Sequence, residues 1–419
     1  MSGGQLARRL TTADAVMIGL GAMIGAGVFA ALGPAARAAG AGLLLGLLIA
    51  AVVAYANAAS SAQLAALYPQ SGGTYVYGRE RLGGVWGYLA GWGFVVGKTA
   101  SCAAMALTFG AYAAPQLARP LAVAVVVALT AVNVAGVRKT AGLTRLIVAV
   151  VLAALAAVVV AALGGGEVAL SNLRMTDGVG GVYGVLQSGG LLFFAFAGYA
   201  RIATLGEEVV EPRTTIPRAI PIALGLTLAV YATVALAALL AAGPQAIAAA
   251  DAPLAPAVEG GSLAVLAPAV RIGATVASAG VLLSLLVGVS RTTFAMARDG
   301  HLPAILARVS SRTQVPAAAE LTVATVVIVV VASGAELGEA IGFSSFAVLF
   351  YYTIANASAW TLRDDERRWP RWLAGIGVFG CILLAVTLPP RAVLAGAGVL
   401  ALGLLVYAVR HRNGRPHGR

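Results

Sequence analysis

Charge is what this chain has little of. Only 11% of its 419 residues are Asp, Glu, Lys or Arg, while 60% are hydrophobic. A water-soluble domain needs far more charge to cover its surface, so a soluble fold is excluded for the chain as a whole. Cysteine is nearly absent. Cys102 and Cys381 both fall inside apolar stretches, which excludes a disulfide framework and leaves two small buried hydrophobes. The three histidines, His301, His411 and His417, fall at the edge of an apolar run or in the tail. No HExxH, no GxSxG and no paired Cys–His arrangement occurs. Neither a nucleophile with its base nor a metal-ligand cluster is therefore on offer, which argues against an enzyme, and no cofactor or structural metal is expected. A repeated selectivity filter or a charged ring, as a channel would need, is also missing. Lysine is scarce, and arginine supplies most of the cations. The short basic N-terminus (Arg8, Arg9) precedes an apolar stretch without a small-residue cleavage site, which reads as an uncleaved first helix.

Apolar runs of about 20 residues, long enough to cross the hydrocarbon core of a bilayer, recur along the whole chain. Twelve spans are expected, near 13–33, 40–66, 85–113, 120–136, 143–163, 183–205, 218–242, 263–295, 315–333, 338–361, 372–389 and 392–410. Pro389 and Pro390 mark a turn between the last two. The formal charge of +12 sits in short loops, so the membrane explains it before nucleic acid does. With the N-terminus inside, the cytoplasmic loops collect most arginines, among them Arg79, Arg81, Arg138, Arg145, Arg213, Arg291, Arg308, Arg363 and Arg410. The opposite side receives Arg37, Arg119, Arg174, Arg271 and Arg391. This bias places both termini in the cytoplasm and the protein in the cytoplasmic (inner) membrane. Two segments, Thr74 to Gly84 and His301 to Arg312, read either as amphipathic pieces lying on the inner surface or as plain polar loops.

Two spans are interrupted. The first carries GAMIGAGVF, Gly21 to Phe29, and the sixth carries FFAFAGYAR, Phe193 to Arg201. Five spans separate them, so they cross in opposite directions. Paired interrupted spans at matching places in two halves point to an inverted-repeat transporter. Unwinding frees backbone groups that hydrocarbon cannot satisfy, so such a break must line a cavity or meet a ligand. A half-helix N-terminus offers amides to a carboxylate, and a C-terminus offers carbonyls to an ammonium. Gly21 and Gly25 also have the small-xxx-small spacing of close helix packing, which remains an alternative.

Four motifs in order, GAMIGAGVF, YPQSGGTYVY (Tyr68 to Tyr77), FFAFAGY followed by EEVVEPRTTIP (Glu207 to Pro217), and SRTTFAMARDGHLP (Ser290 to Pro303), resemble the amino acid–polyamine–organocation superfamily over nearly the whole chain. The resemblance implies an all-α polytopic fold like the bacterial leucine transporter, a five-plus-five inverted repeat with discontinuous helices 1 and 6. Residues 13–163 would form the first repeat and 183–361 the second. Two added helices would follow at 372–410, with a tail at 411–419. It implies a secondary active transporter of amino acids or related amines, working by alternating access and coupled to protons or exchange. A polyamine or organic-cation permease and a non-transporting sensor are the alternatives. Carried over, the substrate carboxylate would meet amides at Ile24, Gly25, Ala26 and Gly27. The amino group would meet carbonyls near Met23, Phe194, Ala195 and Ala197. Phe194 and Phe196 fall where aromatic gating or packing residues stand. Two departures matter: Ala200 and Arg201 replace a familiar Asp, and Val151 replaces the helix 5 lysine of proton-coupled relatives.

Lys98 lies about 20 Å into the third span, near the midplane, which marks it as a coupling or fixed-charge candidate. A snorkelling or structurally paired lysine is the other reading. Arg201 either snorkels, recognises a substrate acid or joins an inner gate with Glu207 and Glu208, and Glu207, Glu208 and Glu211 form either that gate or a solvated loop. Ser284 and Ser290 are weak candidates for a sodium site facing helix 1. The expected partners are a small amine or amino acid, protons and lipid, with no nucleic acid.

Overall fold

The computed structural model describes residues 10–25, 27–68, 72–136, 141–166, 168–174, 180–199, 202, 209–310 and 312–413. Runs such as LIVAVVLAALAAVVVAAL, 146–163, have no polar side chain to offer the backbone. In hydrocarbon their amides and carbonyls must pair within the segment, which a helix achieves. The described residues are accordingly helical, and their β pairing is confined to an isolated bridge between Leu10 and Val209.

The helices run in order as α1 (Thr12–Met23), α2 (Gly27–Ala39), α3 (Leu43–Leu67), α4 (Thr74–Leu82), α5 (Gly84–Ala113), α6 (Ala118–Val134) and α7 (Ala141–Gly164). They continue as α8 (Gly181–Phe196), α9 (Pro212–Ala249), α10 (Ala267–Arg298), α11 (Ala317–Ala332), α12 (Leu337–Trp360), α13 (Arg371–Val386) and α14 (Pro390–Asn413), with a short turn of helix at Pro256–Glu259. Nine helical stretches among the described residues are long and apolar enough to cross a membrane. Thr12–Met23, Ala317–Ala332 and Arg371–Val386 are shorter apolar helices. The protein is thus an integral membrane bundle.

Local chemistry sets several boundaries. Thr11 and Asp14 close a capping box over α1: the Asp14 amide donates to Thr11 Oγ1 at 3.3 Å, and the Thr11 amide donates to Asp14 Oδ2 at 3.0 Å. Pro390 opens α14, where its missing N–H is no loss. Gly243, with φ 74° and ψ 160°, is non-helical and kinks α9, next to the expected end of this span at 242. The two expected surface segments separate. Thr74 to Leu82 is a helix that buries Thr74 to Gly78 and leaves Arg79 and Glu80 exposed. Among its described residues the His301 to Arg312 segment holds a 3₁₀ turn at Ala304–Ala307 in place of a surface helix, Pro303 standing just before it.

Helix α5 packs against α10 and α12, and α8 packs against α2 and α3. On the perimeter large apolar side chains face outward, with Leu394 74% and Phe379 68% exposed. Such a surface suits lipid rather than water.

Candidate functional site at the paired helix breaks

The first break begins where α1 stops at Met23. The Ile24 amide still donates to the Leu20 carbonyl at 2.7 Å, and helical geometry resumes at Gly27. The second break begins where α8 stops at Phe196 and tightens into a 3₁₀ turn at Ala197–Tyr199. Of the predicted site residues, Ala26, Arg201, Glu207 and Glu208 lie outside the described residues.

The two breaks touch. A Cβ on Gly198 would collide with the Ala22 carbonyl, and one on Gly27 would stand 2.8 Å from Ala195 Cα. Only glycine lets the end of α1 cross the turn after α8 at this distance. Gly21 and Gly25 serve close packing as well: a Cβ on Gly21 would stand 2.9 Å from Val148 Cγ2, and one on Gly25 would overlap Val281.

Tyr231 of α9 joins the breaks. Its hydroxyl donates to the Met23 carbonyl and lies 3.1 Å from the Ala195 carbonyl, so one O–H is shared between the ends of α1 and α8. The Phe196 ring meets the Tyr231 ring edge-on at 5.3 Å. The sequence reading missed Tyr231. A lone tyrosine in the apolar run of α9 was its only signal, and such residues are common in membrane helices. Phe196 is buried in this contact, whereas Phe194 is partly buried. The arrangement also refines the expected ligand groups. The Ile24 amide is already engaged, while Met23 and Ala195 present carbonyls that have a second lone pair each.

A cavity of about 10 Å³, room for one water, adjoins the first break. Gly21, Ile24 and Gly25 line it with Thr144, Val148 and Val151 of α7 and Ala277, Gly280 and Val281 of α10. Val151 is thus a wall of the space beside the broken helix, and Thr144 is the polar side chain there. Ser284 donates to the Gly280 carbonyl at 3.0 Å, one turn along α10. Ser290 is directed elsewhere, onto Glu320 of α11 at 2.8 Å. Lys98 is partly buried in the middle of α5, on the helix face that also carries Cys102.

Contacts close over the break from both ends. On one, the Val210 amide donates to the Leu10 carbonyl at 2.9 Å, and Arg145 of α7 lies 3.6 Å from Asp14 of α1. On the other, Tyr112 donates to the Phe29 carbonyl at 3.1 Å and accepts from the Leu254 amide at 3.1 Å.

Known proteins share this sequence. The chain is 63% identical over 407 residues to an uncharacterized transporter of Mycobacterium tuberculosis, covering 97% of this chain and 92% of that one. It is 26% identical over 443 residues to the branched-chain amino acid permease BcaP of Bacillus subtilis, covering 97% and 94%. It is 30% identical over 397 residues to the vacuolar cationic amino acid transporter 2 of Arabidopsis thaliana, covering 88% of this chain and 62% of that one. The family model described as amino acid permease matches residues 10–408, nearly everything from the first bridge residue to the last helix, and the chain belongs to the amino acid permease family.

Proposed function

We propose that the chain is a secondary active transporter that moves amino acids across the cytoplasmic membrane by alternating access. The observation that carries this reading is the contact between two helix breaks, with Tyr231 shared by the carbonyls of Met23 and Ala195. At such a crossing, the N-terminus of α2 from Gly27 supplies amides and partial positive charge, and the C-termini of α1 and α8 supply carbonyls. A zwitterion has one group for each. The amides from Ile24 to Gly27 would take the carboxylate as the break opens. The carbonyls of Met23, Phe194, Ala195 and Ala197 would take the ammonium, and Phe196 would flank the substrate.

In this reading α1 and α2 form one discontinuous span. The twelve spans make a five-plus-five inverted repeat with two further helices, and both termini face the cytoplasm, as the arginine bias supports. Alternating access then proceeds by release of one set of latches at a time. Opening inward separates Leu10 from Val210 and Asp14 from Arg145. Opening outward separates Tyr112 from Phe29 and Leu254. Transport is driven by protons or by exchange, with Lys98 as the interior cation in place of the residue that Val151 replaces.

The test is uptake by the purified chain in proteoliposomes across neutral, branched-chain and cationic amino acids and polyamines, with imposed pH and sodium gradients. Saturable uptake of an amino acid is expected. Failure to bind or move any amino acid rejects the reading, and movement of polyamines alone replaces it with an organic-cation permease.

A further inference from the structure

Glu320 is an ionisable group in the bundle that the breaks leave unused. It stands in the first turn of α11, in the apolar run AAAELTVATVVIVVVA, and is 3% exposed. Asn133 of α6 donates its side-chain amide to Oε1 at 2.7 Å, and the Ser290 hydroxyl of α10 meets Oε2 at 2.8 Å. Both partners are neutral. Among the described residues no lysine or arginine forms an ion pair with Glu320. A buried carboxylate with neutral partners only is expensive, and an ionisable side chain inside a membrane bundle marks a functional site.

The hydrogen bonding suits both protonation states. The Asn133 amide donates to the carboxylate and to the acid alike. The Ser290 hydroxyl also lies 3.1 Å from the Val287 carbonyl. With Glu320 ionised, Ser290 donates to it. With Glu320 protonated, the acid O–H donates to Ser290 Oγ, and the serine hydrogen turns to Val287. Each protonation state thus keeps its hydrogen bonds.

A second observation points the same way. Among the described residues the buried hydroxyls of Thr130 and Thr293 have no hydrogen-bond partner, the two residues being 5% and 3% exposed. Thr130 precedes Asn133 by three residues and Thr293 follows Ser290 by three, so each shares the helix face of a Glu320 partner. Orphan buried hydroxyls call for water, and water beside a carboxyl is a route for protons.

The groups around Glu320 are few. From α5 comes Cys102, fully buried, on the helix face that also carries Lys98. From α6 come neutral Thr130 and Asn133, and from α10 neutral Ser290 and Thr293, with Arg291 exposed. The turn at Ala304–Ala307 and the rest of α11 carry no titratable side chain.

We propose that Glu320 is a proton-binding site of the transport cycle, alternating between carboxylate and carboxylic acid. Helix α10 links it to the breaks, since the same helix carries Ser290 at one level and Ala277, Gly280 and Val281 against Gly21, Ile24 and Gly25 at another. Taking up one proton removes one charge from the junction of α6, α10 and α11, and α10 transmits the altered packing to the broken helix. This rests on the transport reading above.

The test uses the full chain in proteoliposomes and compares Glu320→Gln, an isosteric mimic of the acid, with the wild type. Two rates are read: accumulation driven by a pH gradient, and substrate exchange at equal pH. The gradient-driven rate is expected to fall at least about tenfold further than the exchange rate, and exchange is expected to lose its pH dependence. Equal loss of both makes Glu320 a structural tie and overturns the proposal, as does gradient-driven accumulation at the wild-type level. Loss of sodium-driven rather than pH-driven accumulation also overturns it. If the Gln variant does not fold, Ser290→Ala decides. Removing a donor to the carboxylate should shift the pH midpoint of uptake upward by roughly half a unit or more, and an unmoved midpoint overturns the proposal. A wild type that moves no amino acid rejects the transport reading itself, a result distinct from all of these.

Discussion

Tyr231 donates its hydroxyl to the main-chain carbonyl of Met23, the residue at which the first helix ends. The same oxygen lies 3.1 Å from the carbonyl of Ala195, one residue short of the end of α8. Two chain segments far apart in sequence therefore share a single donor supplied by a third. That donor sits on α9, which runs unbroken past both interruptions up to its kink at Gly243. A rigid helix thus references two backbone ends that would otherwise have no regular partner.

Tyr231→Phe removes this donor and keeps the ring against Phe196. Leaving buried carbonyls without a donor costs about 1–3 kcal/mol. Catalytic efficiency of uptake, kcat/KM, is expected to fall by about tenfold to a hundredfold while the protein still purifies as a folded monodisperse species. Uptake kinetics and a thermal unfolding curve check it, and wild-type kinetics would remove Tyr231 from the site.

Gly198→Ala places a methyl group against the Ala22 carbonyl. Overpacking of this kind costs about 1–3 kcal/mol and must push the two breaks apart. Uptake is expected to drop by about tenfold or more, with a lower Tm. Substitution of Gly225, where a Cβ would meet nothing within 4 Å, is the control and is expected to leave packing intact.

Lys98→Met tests the interior cation. Lys98 forms no hydrogen bond or ion pair with the described residues. If it holds charge for coupling, uptake driven by a pH gradient falls while exchange persists. Gradient-driven uptake at the wild-type rate would show Lys98 to be a snorkelling side chain.

Glu366 carries a pH prediction. Its carboxyl accepts from the Arg363 amide at 2.9 Å and pairs with Arg81 of α4 at 2.7 Å. The backbone hydrogen bond first, and Arg81 after it, hold its pKa below the ordinary glutamate value. A depressed carboxyl contributes stability above its unfolded value, near pH 4.3, and loses it as pH falls through the lower folded value. Glu366→Gln should therefore be less stable than the wild type near neutral pH by a small amount, as expected for a surface-facing pair. The difference should shrink as pH falls below the unfolded value and vanish below the lower folded value. Thermal unfolding of both proteins across pH 3 to 7 measures it.

The spans were legible because their apolar runs repeat at a length that a bilayer fixes. Gly21 to Phe29 and Phe193 to Arg201 were legible as interruptions because glycine and small residues gather there, and the structure interrupts its helices at both places. The surface helix at Thr74 could be read from its sequence, but its buried half could not, because Tyr75 finds its partners beyond the end of α10. Tyr75 donates to Asp299 at 2.6 Å across 224 residues, and burial, with that bond after it, raises its pKa. Ser290 looked like a residue facing the first helix. Its actual partner is Glu320, thirty residues on. Glu320 drew no notice because it stands near the start of its span, where an isolated acid resembles a loop residue.

By itself the sequence determined that this is a membrane bundle and which two of its apolar segments are interrupted. These properties follow from local composition, since hydrocarbon demands apolar side chains and an internally paired backbone. Only the tertiary structure decided that the breaks meet, that Tyr231 serves both, that Val151 walls the space beside the first, and that Glu320 is buried among neutral partners. Those are relations between helices, set by packing and by the need of each buried polar group for a partner, and no single stretch of chain contains them.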